Sequence, residues 1–205
     1  MTEDDAKAWV ADRFGAARAA AMACLADIVL NETRQQNLIA PSTIDAIWSR
    51  HIVDSAQLIG FADGENHGRW IDIGSGAGFP GLVVAALTER EVWLVEPRKR
   101  RAAFLAETAI RLGIADRTHI VSDRIEKVRE KASIISARAV GPLTELFAWA
   151  RDCSTPKTRW ILPKGRSARD EVATAEQEWH GVFHVEHSLT DPDSLIVLAS
   201  GVSRR

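Results

Sequence analysis

The residues best suited to chemistry lie in the run Trp70-Ile-Asp-Ile-Gly-Ser-Gly-Ala-Gly-Phe-Pro-Gly81, which reads as a short strand delivering a glycine loop to a helix start. Gly74, Gly76 and Gly78 let the backbone turn sharply and approach a ligand, and Pro80 suits the first turn of a helix whose amide end then faces that ligand. Two carboxylates flank the loop. Asp72 sits inside the strand, and Glu96 closes the next one, Val92-Trp-Leu-Val-Glu96, where it can accept hydrogen bonds from ribose hydroxyls. Gly76-Ala-Gly-Phe-Pro-Gly81 is also a literal GxGxxG, which keeps a nicotinamide-dinucleotide oxidoreductase open as a reading. A dinucleotide loop would start its GxGxxG where the strand ends. Here the glycines begin two residues earlier, at Gly74, and this favours S-adenosylmethionine.

The other strand ends carry complementary groups. Asp123-Arg-Ile-Glu126 could edge an adenine ring through Ile125 and Glu126. Ser133-Ile-Ile-Ser-Ala-Arg-Ala139 places Arg138 where amino-methylating enzymes hold an Asn/Asp-Pro-Pro-aromatic motif, and no such motif occurs in this sequence. An arginine there suits an acceptor-only edge such as guanine O6 and N7, or a phosphate. Lys164, ending Trp160-Ile-Leu-Pro-Lys164, is a candidate contact to a nucleic-acid backbone. Arg98, Lys99, Arg100 and Arg101 open a helix beside Glu96; four cations at a helix N-terminus oppose its dipole and call for a partner such as a polyanion.

Other groups carry less. His184 and His187 fall three apart on a predicted strand and point to opposite faces, so with His180 they make no metal site. Cys24 and Cys153 have neither zinc spacing nor the strand-end position of a nucleophile. Trp48, Trp93 and Trp160 lie in apolar periodic segments and are expected in the core. The net charge of -2 provides no uniform positive field, so any polyanion must meet a local patch. An acidic start and interrupted apolar stretches predict neither signal peptide nor membrane span, and the cysteine usage predicts a cytoplasmic protein.

The elements that must position these groups follow from periodicity. Residues 4–30 read as one amphipathic helix, and the Ser42-Thr-Ile-Asp45 capping-box spacing starts a second helical stretch reaching Ile59. The polar segment Asp63–Arg69 marks a boundary between a helical extension, 1–62, and a core domain, 63–205. Strands are expected near 70–73, 92–96, 118–121, 133–138, 158–163, 182–188 and 194–200, with helices near 80–88, 99–112, 142–152 and 168–179. That alternation predicts a Rossmann-like α/β fold of seven strands, mostly parallel, whose last two pair as an antiparallel hairpin because only Leu189-Thr-Asp-Pro-Asp193 joins them.

Taken together, Asn37-Leu38, Arg50-His-Ile-Val-Asp-Ser55, Ile71–Gly81, Arg100-Arg101 with Phe104-Leu105, Ser136-Ala-Arg138-Ala139 and Lys164-Gly165 resemble the RsmG (GidB) family of bacterial 16S ribosomal RNA guanine-N7 methyltransferases over almost the whole chain. The resemblance implies a class I methyltransferase fold and a cofactor site at Gly74, Phe79, Ile125, Glu126 and Arg138. It also implies a catalytic set of Arg138, Asn37 and Lys164, and an RNA-facing pocket lined by Asn37, Arg50, His51, Lys164 and the basic cluster. The partner would be 16S ribosomal RNA or the small ribosomal subunit, bound by a monomer. Glu96 stands where the family has aspartate and Arg100 where it has lysine. A non-catalytic RNA-binding module that keeps the loop as a scaffold is a further reading, opposed by the intact Asp72, Gly74 and Glu96.

Overall fold

The computed structural model describes residues 1–62 and 68–205, so most of the boundary expected at Asp63–Arg69 lies outside the described residues. Seven strands form one sheet: β1 (Trp70–Ile73), β2 (Val92–Val95), β3 (Thr118–Val121), β4 (Ile134–Ala137), β5 (Arg159–Lys164), β6 (Trp179–His187) and β7 (Leu195–Arg204). Their order is β3-β2-β1-β4-β5-β7-β6. The first five are parallel, and β7 runs antiparallel between β5 and β6. The sequence order therefore reverses between β1 and β4, and the carboxyl ends of those two strands border the crevice where such sheets bind ligands.

The N-terminal region departs from the single helix expected over 4–30. Gly15, at φ 87°, separates α1 (Glu3–Phe14) from α2 (Ala16–Gln36), because its left-handed backbone cannot continue the helix. The expected capping box at Ser42–Asp45 does not form. Pro41 instead opens a 3-10 turn, Pro41–Ala46, whose Thr43 hydroxyl bonds back to the Ala40 carbonyl. A π-helical stretch (Trp48–Val53), the short α3 (Asp54–Ala56) and a second 3-10 turn (Gln57–Phe61) follow.

On the core side lie α4 (Gly81–Leu87), α5 (Lys99–Arg111), α6 (Leu143–Trp149) and α7 (Ala168–Glu178). The sequence of α4, Gly-Leu-Val-Val-Ala-Ala-Leu, is apolar all round, and all seven residues are buried. A helix of that kind needs a cover on its outer side as well as a sheet beneath it. The cover comes from the N-terminal helices: Met22, Leu25, Val29, Ile52 and Leu58 pack in one cluster with Leu82, Val83, Leu87 and Leu94. Fully burying each such leucine stabilises by about 2 kcal/mol. The opposite face of the sheet forms a second cluster around Trp160, Phe147 and Trp179. Trp48 and Trp160 are buried as expected, whereas Trp93, on the interior strand β2, is only half-buried, with Arg69 over its ring at 4.6 Å and its indole N–H on Glu91.

Candidate active site

The glycine loop leaves β1 between two carboxylates that hold it from below. Asp72, fully buried, accepts the Ser136 hydroxyl at 2.7 Å and the Gly81 amide at 3.2 Å, while the Trp70 indole donates to Ser136 at 2.8 Å. Asp72 thus ties β1 to β4 and fixes the start of α4. Burial pushes its pKa up to about 6, although the hydrogen bonds oppose that shift. Glu96, also buried, accepts the Gly76 amide at 2.9 Å through one oxygen and the Arg98 amide at 2.9 Å through the other.

Two close approaches make glycine obligatory in the loop. Gly78 has φ 92°, and a Cβ there would fall 2.3 Å from Leu82 Cδ1. A Cβ on Gly81 would meet Leu94 at 2.1 Å and the Asp72 carboxylate at 2.8 Å. Pro80, expected in the first helical turn, directly precedes α4 after a cis peptide bond.

Across the crevice, Arg138 leaves β4 into a network from the N-terminal region. A guanidinium has five N–H donors. Three meet the Arg50 carbonyl (3.2 Å), Asp54 Oδ2 (3.1 Å) and His51 Nδ1 (2.9 Å). Arginine can only donate, so His51 Nδ1 is the acceptor and its Nε2–H donates to the Thr43 hydroxyl at 2.8 Å. Burial, then Arg138, then Arg50 lower the His51 pKa to about 3, so the imidazole is neutral at physiological pH. Phe79 stacks on that ring at 5.0 Å, with the Arg138 guanidinium 5.4 Å from the Phe79 centroid. Arg50 pairs with Asp191 in the β6–β7 turn.

Between the two sides lies a cavity of about 780 Å³. Of the residues expected at the site, Gly74, Gly76, Phe79, Arg50, His51, Arg101, Arg138 and Lys164 line it. Lys164 is no free surface lysine: its ammonium is held by Glu171 at 2.7 Å and the Gly141 carbonyl at 2.6 Å. Other expected residues stand elsewhere. Gly78 belongs to the loop but does not line the cavity, and Asp72 and Glu96 lie beneath the loop; Glu96, expected to accept ribose hydroxyls, turns instead to the Gly76 and Arg98 amides. Ile125 is buried against Ile73 and Val95, and Glu126 beside it is exposed, both away from the cavity lining. Asn37 is the C-cap of α2, where φ 47° explains an asparagine; it is exposed outside the cavity, next to the lining Leu38. Arg98, Lys99 and Arg100 are exposed around the start of α5, and Arg100 reaches Glu32 at 3.9 Å. His180, His184 and His187 are exposed, and no group of three or more metal-ligating side chains occurs among the described residues.

Sequence reasoning gave no role to Asp54, Thr43, Glu171 or the turn residues Ser188 and Asp191, all of which line the cavity or hold what lines it. Asp54 lay within the Arg50–Ser55 run, but nothing local in the sequence shows it meeting Arg138, 84 residues away.

The residues present fit S-adenosylmethionine: the loop approaches at backbone level, with a buried acid at the end of β2 and an arginine at the end of β4. Among the described residues no helix is long and apolar enough to cross a membrane. Residues 18–191 match the family model described as rRNA small subunit methyltransferase G. A ribosomal RNA small subunit methyltransferase G from Rhizorhabdus wittichii is 46% identical, covering 100% of this chain and 95% of its own. Its counterpart from Novosphingobium aromaticivorans is 41% identical over 97% and 88%. Among solved structures, a mutant of MtNAS in complex with S-adenosylmethionine superposes with a TM-score of 0.62 at 14% identity, over 85% of this chain and 72% of that one. A ribosomal protein L11 methylase from Lactobacillus delbrueckii subsp. bulgaricus gives 0.55 at 16% identity, over 74% and 77%. These likenesses show the class I methyltransferase fold, and nothing in them supports the nicotinamide reading of Gly76–Gly81. The matches to curated relatives and to the family model agree over nearly the whole length, and the chain belongs to the rRNA small subunit methyltransferase G family.

Proposed function

We propose that this chain transfers a methyl group from S-adenosylmethionine to N7 of a guanine in small-subunit (16S) ribosomal RNA. One observation carries the choice of acceptor: every candidate base in the cavity is already engaged. His51 accepts from Arg138 and donates to Thr43. Asp54 holds Arg138, and Glu171 holds Lys164. Guanine N7 presents a lone pair and carries no proton, so its methylation requires no base, only that the base be held and aimed. S-adenosylmethionine, when bound, supplies an electrophilic methyl group.

The chain's own residues supply the rest. Gly74 and Gly76 offer backbone to the cofactor, Glu96 holds that backbone from behind through the Gly76 amide, and Phe79 lines the cavity against His51. Among the described residues Arg138 commits three of its N–H groups and leaves one Nη2–H and its Nε–H, enough to orient cofactor or base through acceptor atoms. Arg101 lines the cavity mouth, and with Arg98, Lys99, Arg100 and Arg50 it makes a basic rim for phosphates. N7 lies in the deep, narrow groove of an RNA helix, so the target guanine is unpaired or extruded. In this reading residues 1–62 form an extension that covers α4 and braces Arg138, and 63–205 form the transferase domain. One chain completes the cavity, which supports a monomer, and a ribosomal substrate supports a cytoplasmic location.

Purified protein, labelled S-adenosylmethionine and small ribosomal subunits should give label at a single guanine that becomes cleavable by borohydride and aniline. Label resistant to that treatment, or carried by protein, overturns the assignment.

A further inference from the structure

We propose that Asp54 is a positioning residue for the transfer, acting on the reaction only through Arg138. The inference rests on the methyltransferase reading above. Asp54 is 16% exposed at the side chain, and its two oxygens are divided between two tasks. Oδ2 accepts from Arg138 Nη1 at 3.1 Å. Oδ1 accepts from Gln57 Nε2 at 3.1 Å and lies 3.2 Å from Thr190 Oγ1 and 3.4 Å from Ser188 Oγ. The Ser188 and Thr190 hydroxyls also bond each other at 2.9 Å and each has one proton, so Gln57 and one hydroxyl of that pair donate to Oδ1; together they fix the carboxylate's rotation and leave the other oxygen facing Arg138.

The donors themselves are held. Gln57 is buried, its carbonyl accepts the Leu189 amide at 2.8 Å, and its amide also reaches Ser188 at 2.9 Å. Arg50 closes the same turn onto Asp191. Arg138 follows β4 in the short run before α6, and a long flexible side chain there has many rotamers. Its aim is set by Asp54, the neutral His51 and the Arg50 carbonyl, which leave the two remaining N–H groups in one orientation. Two arginines and two carboxylates cancel in charge, so the network serves direction more than attraction.

The test is a double-mutant cycle on full-length protein with small subunits as acceptor. Asp54→Asn should lower kcat/KM about 30-fold in the wild-type background and no more than about twofold in an Arg138→Ala background, which removes the guanidinium altogether. Asp54→Glu, which keeps the charge, should lose only about fivefold. Thr190→Val, which removes one hydroxyl of the pair at Oδ1, should stay within about threefold of wild type. Additive losses at 54 and 138 overturn the proposal, as does a Thr190→Val loss equal to that of Asp54→Asn, because Asp54 would then serve only the turn. If Asp54→Asn does not fold, the cycle is run with Asp54→Glu, and additivity there overturns it equally. A wild type that leaves small subunits unlabelled refutes the proposed function instead. The same cycle, read as S-adenosylmethionine affinity by calorimetry, then decides the role of Asp54, and absence of coupling overturns it.

Discussion

The two walls of the cavity are built by different means. The wall below β1 and β2 is backbone: glycines bring the main chain to the ligand side, and buried Asp72 and Glu96 clamp it through the Gly81 and Gly76 amides, within the β1–α4–β2 unit. The wall beyond β4 and β5 is side chain: Arg138 is held by His51, Asp54 and the Arg50 carbonyl, and Lys164 separately by Glu171, through directional bonds between distant parts of the chain. Backbone walls tolerate no added atoms, whereas side-chain walls tolerate volume changes but not lost donors or charges. Substitutions should therefore fail differently on the two sides.

The largest effect is expected in the loop. Gly78→Val would put a branched side chain at φ 92° and against Leu82, so it should abolish S-adenosylmethionine binding in a calorimetric titration and lower the melting temperature. A variant that bound normally would show that the backbone wall is not rigid. On the other wall, Arg138→Ala should lower turnover by about 10²-fold or more while the melt stays cooperative, since only an orienting group is lost. Near-normal turnover would remove Arg138 from the reaction.

The buried clamp gives a smaller, pH-dependent signature. Asp72 has a folded-state pKa of about 6 against an ordinary 3.8, so its ionised form is disfavoured by folding. The contribution of Asp72 to stability should then fall as pH rises from about 4 to about 6, while the neutral His51 contributes in the opposite direction over the same range. Asp72→Asn cannot ionise and lacks this slope, so the gap between the two should change by up to about 3 kcal/mol over that range, read from denaturant midpoints. Parallel curves would mean that the hydrogen bonds to Ser136 and Gly81 offset the burial.

The smallest effect is expected at the rim. Lys99→Ala should weaken RNA binding only a few-fold and reduce the salt dependence of affinity by about one counterion, without changing S-adenosylmethionine affinity. An unchanged salt slope would place the RNA path elsewhere.

The two walls also differ in how far they could be read from the chain. The strand, loop and acid on the β1–β2 side are contiguous or nearly so, and backbone geometry depends on local residue type; glycine at 74, 76 and 78 declared the loop before any fold was known. The alternation of apolar runs likewise determined the sheet and its closing hairpin. Tertiary structure alone decided that Asp72 and Glu96 point into the protein's own backbone, that Ile125 and Asn37 stand away from the cavity lining, and that Lys164 is tied to Glu171. It alone brought Asp54 to Arg138 across 84 residues. The physical reason is range: turns and strands are set by neighbours along the chain, whereas side-chain hydrogen bonds depend on distances that only packing fixes.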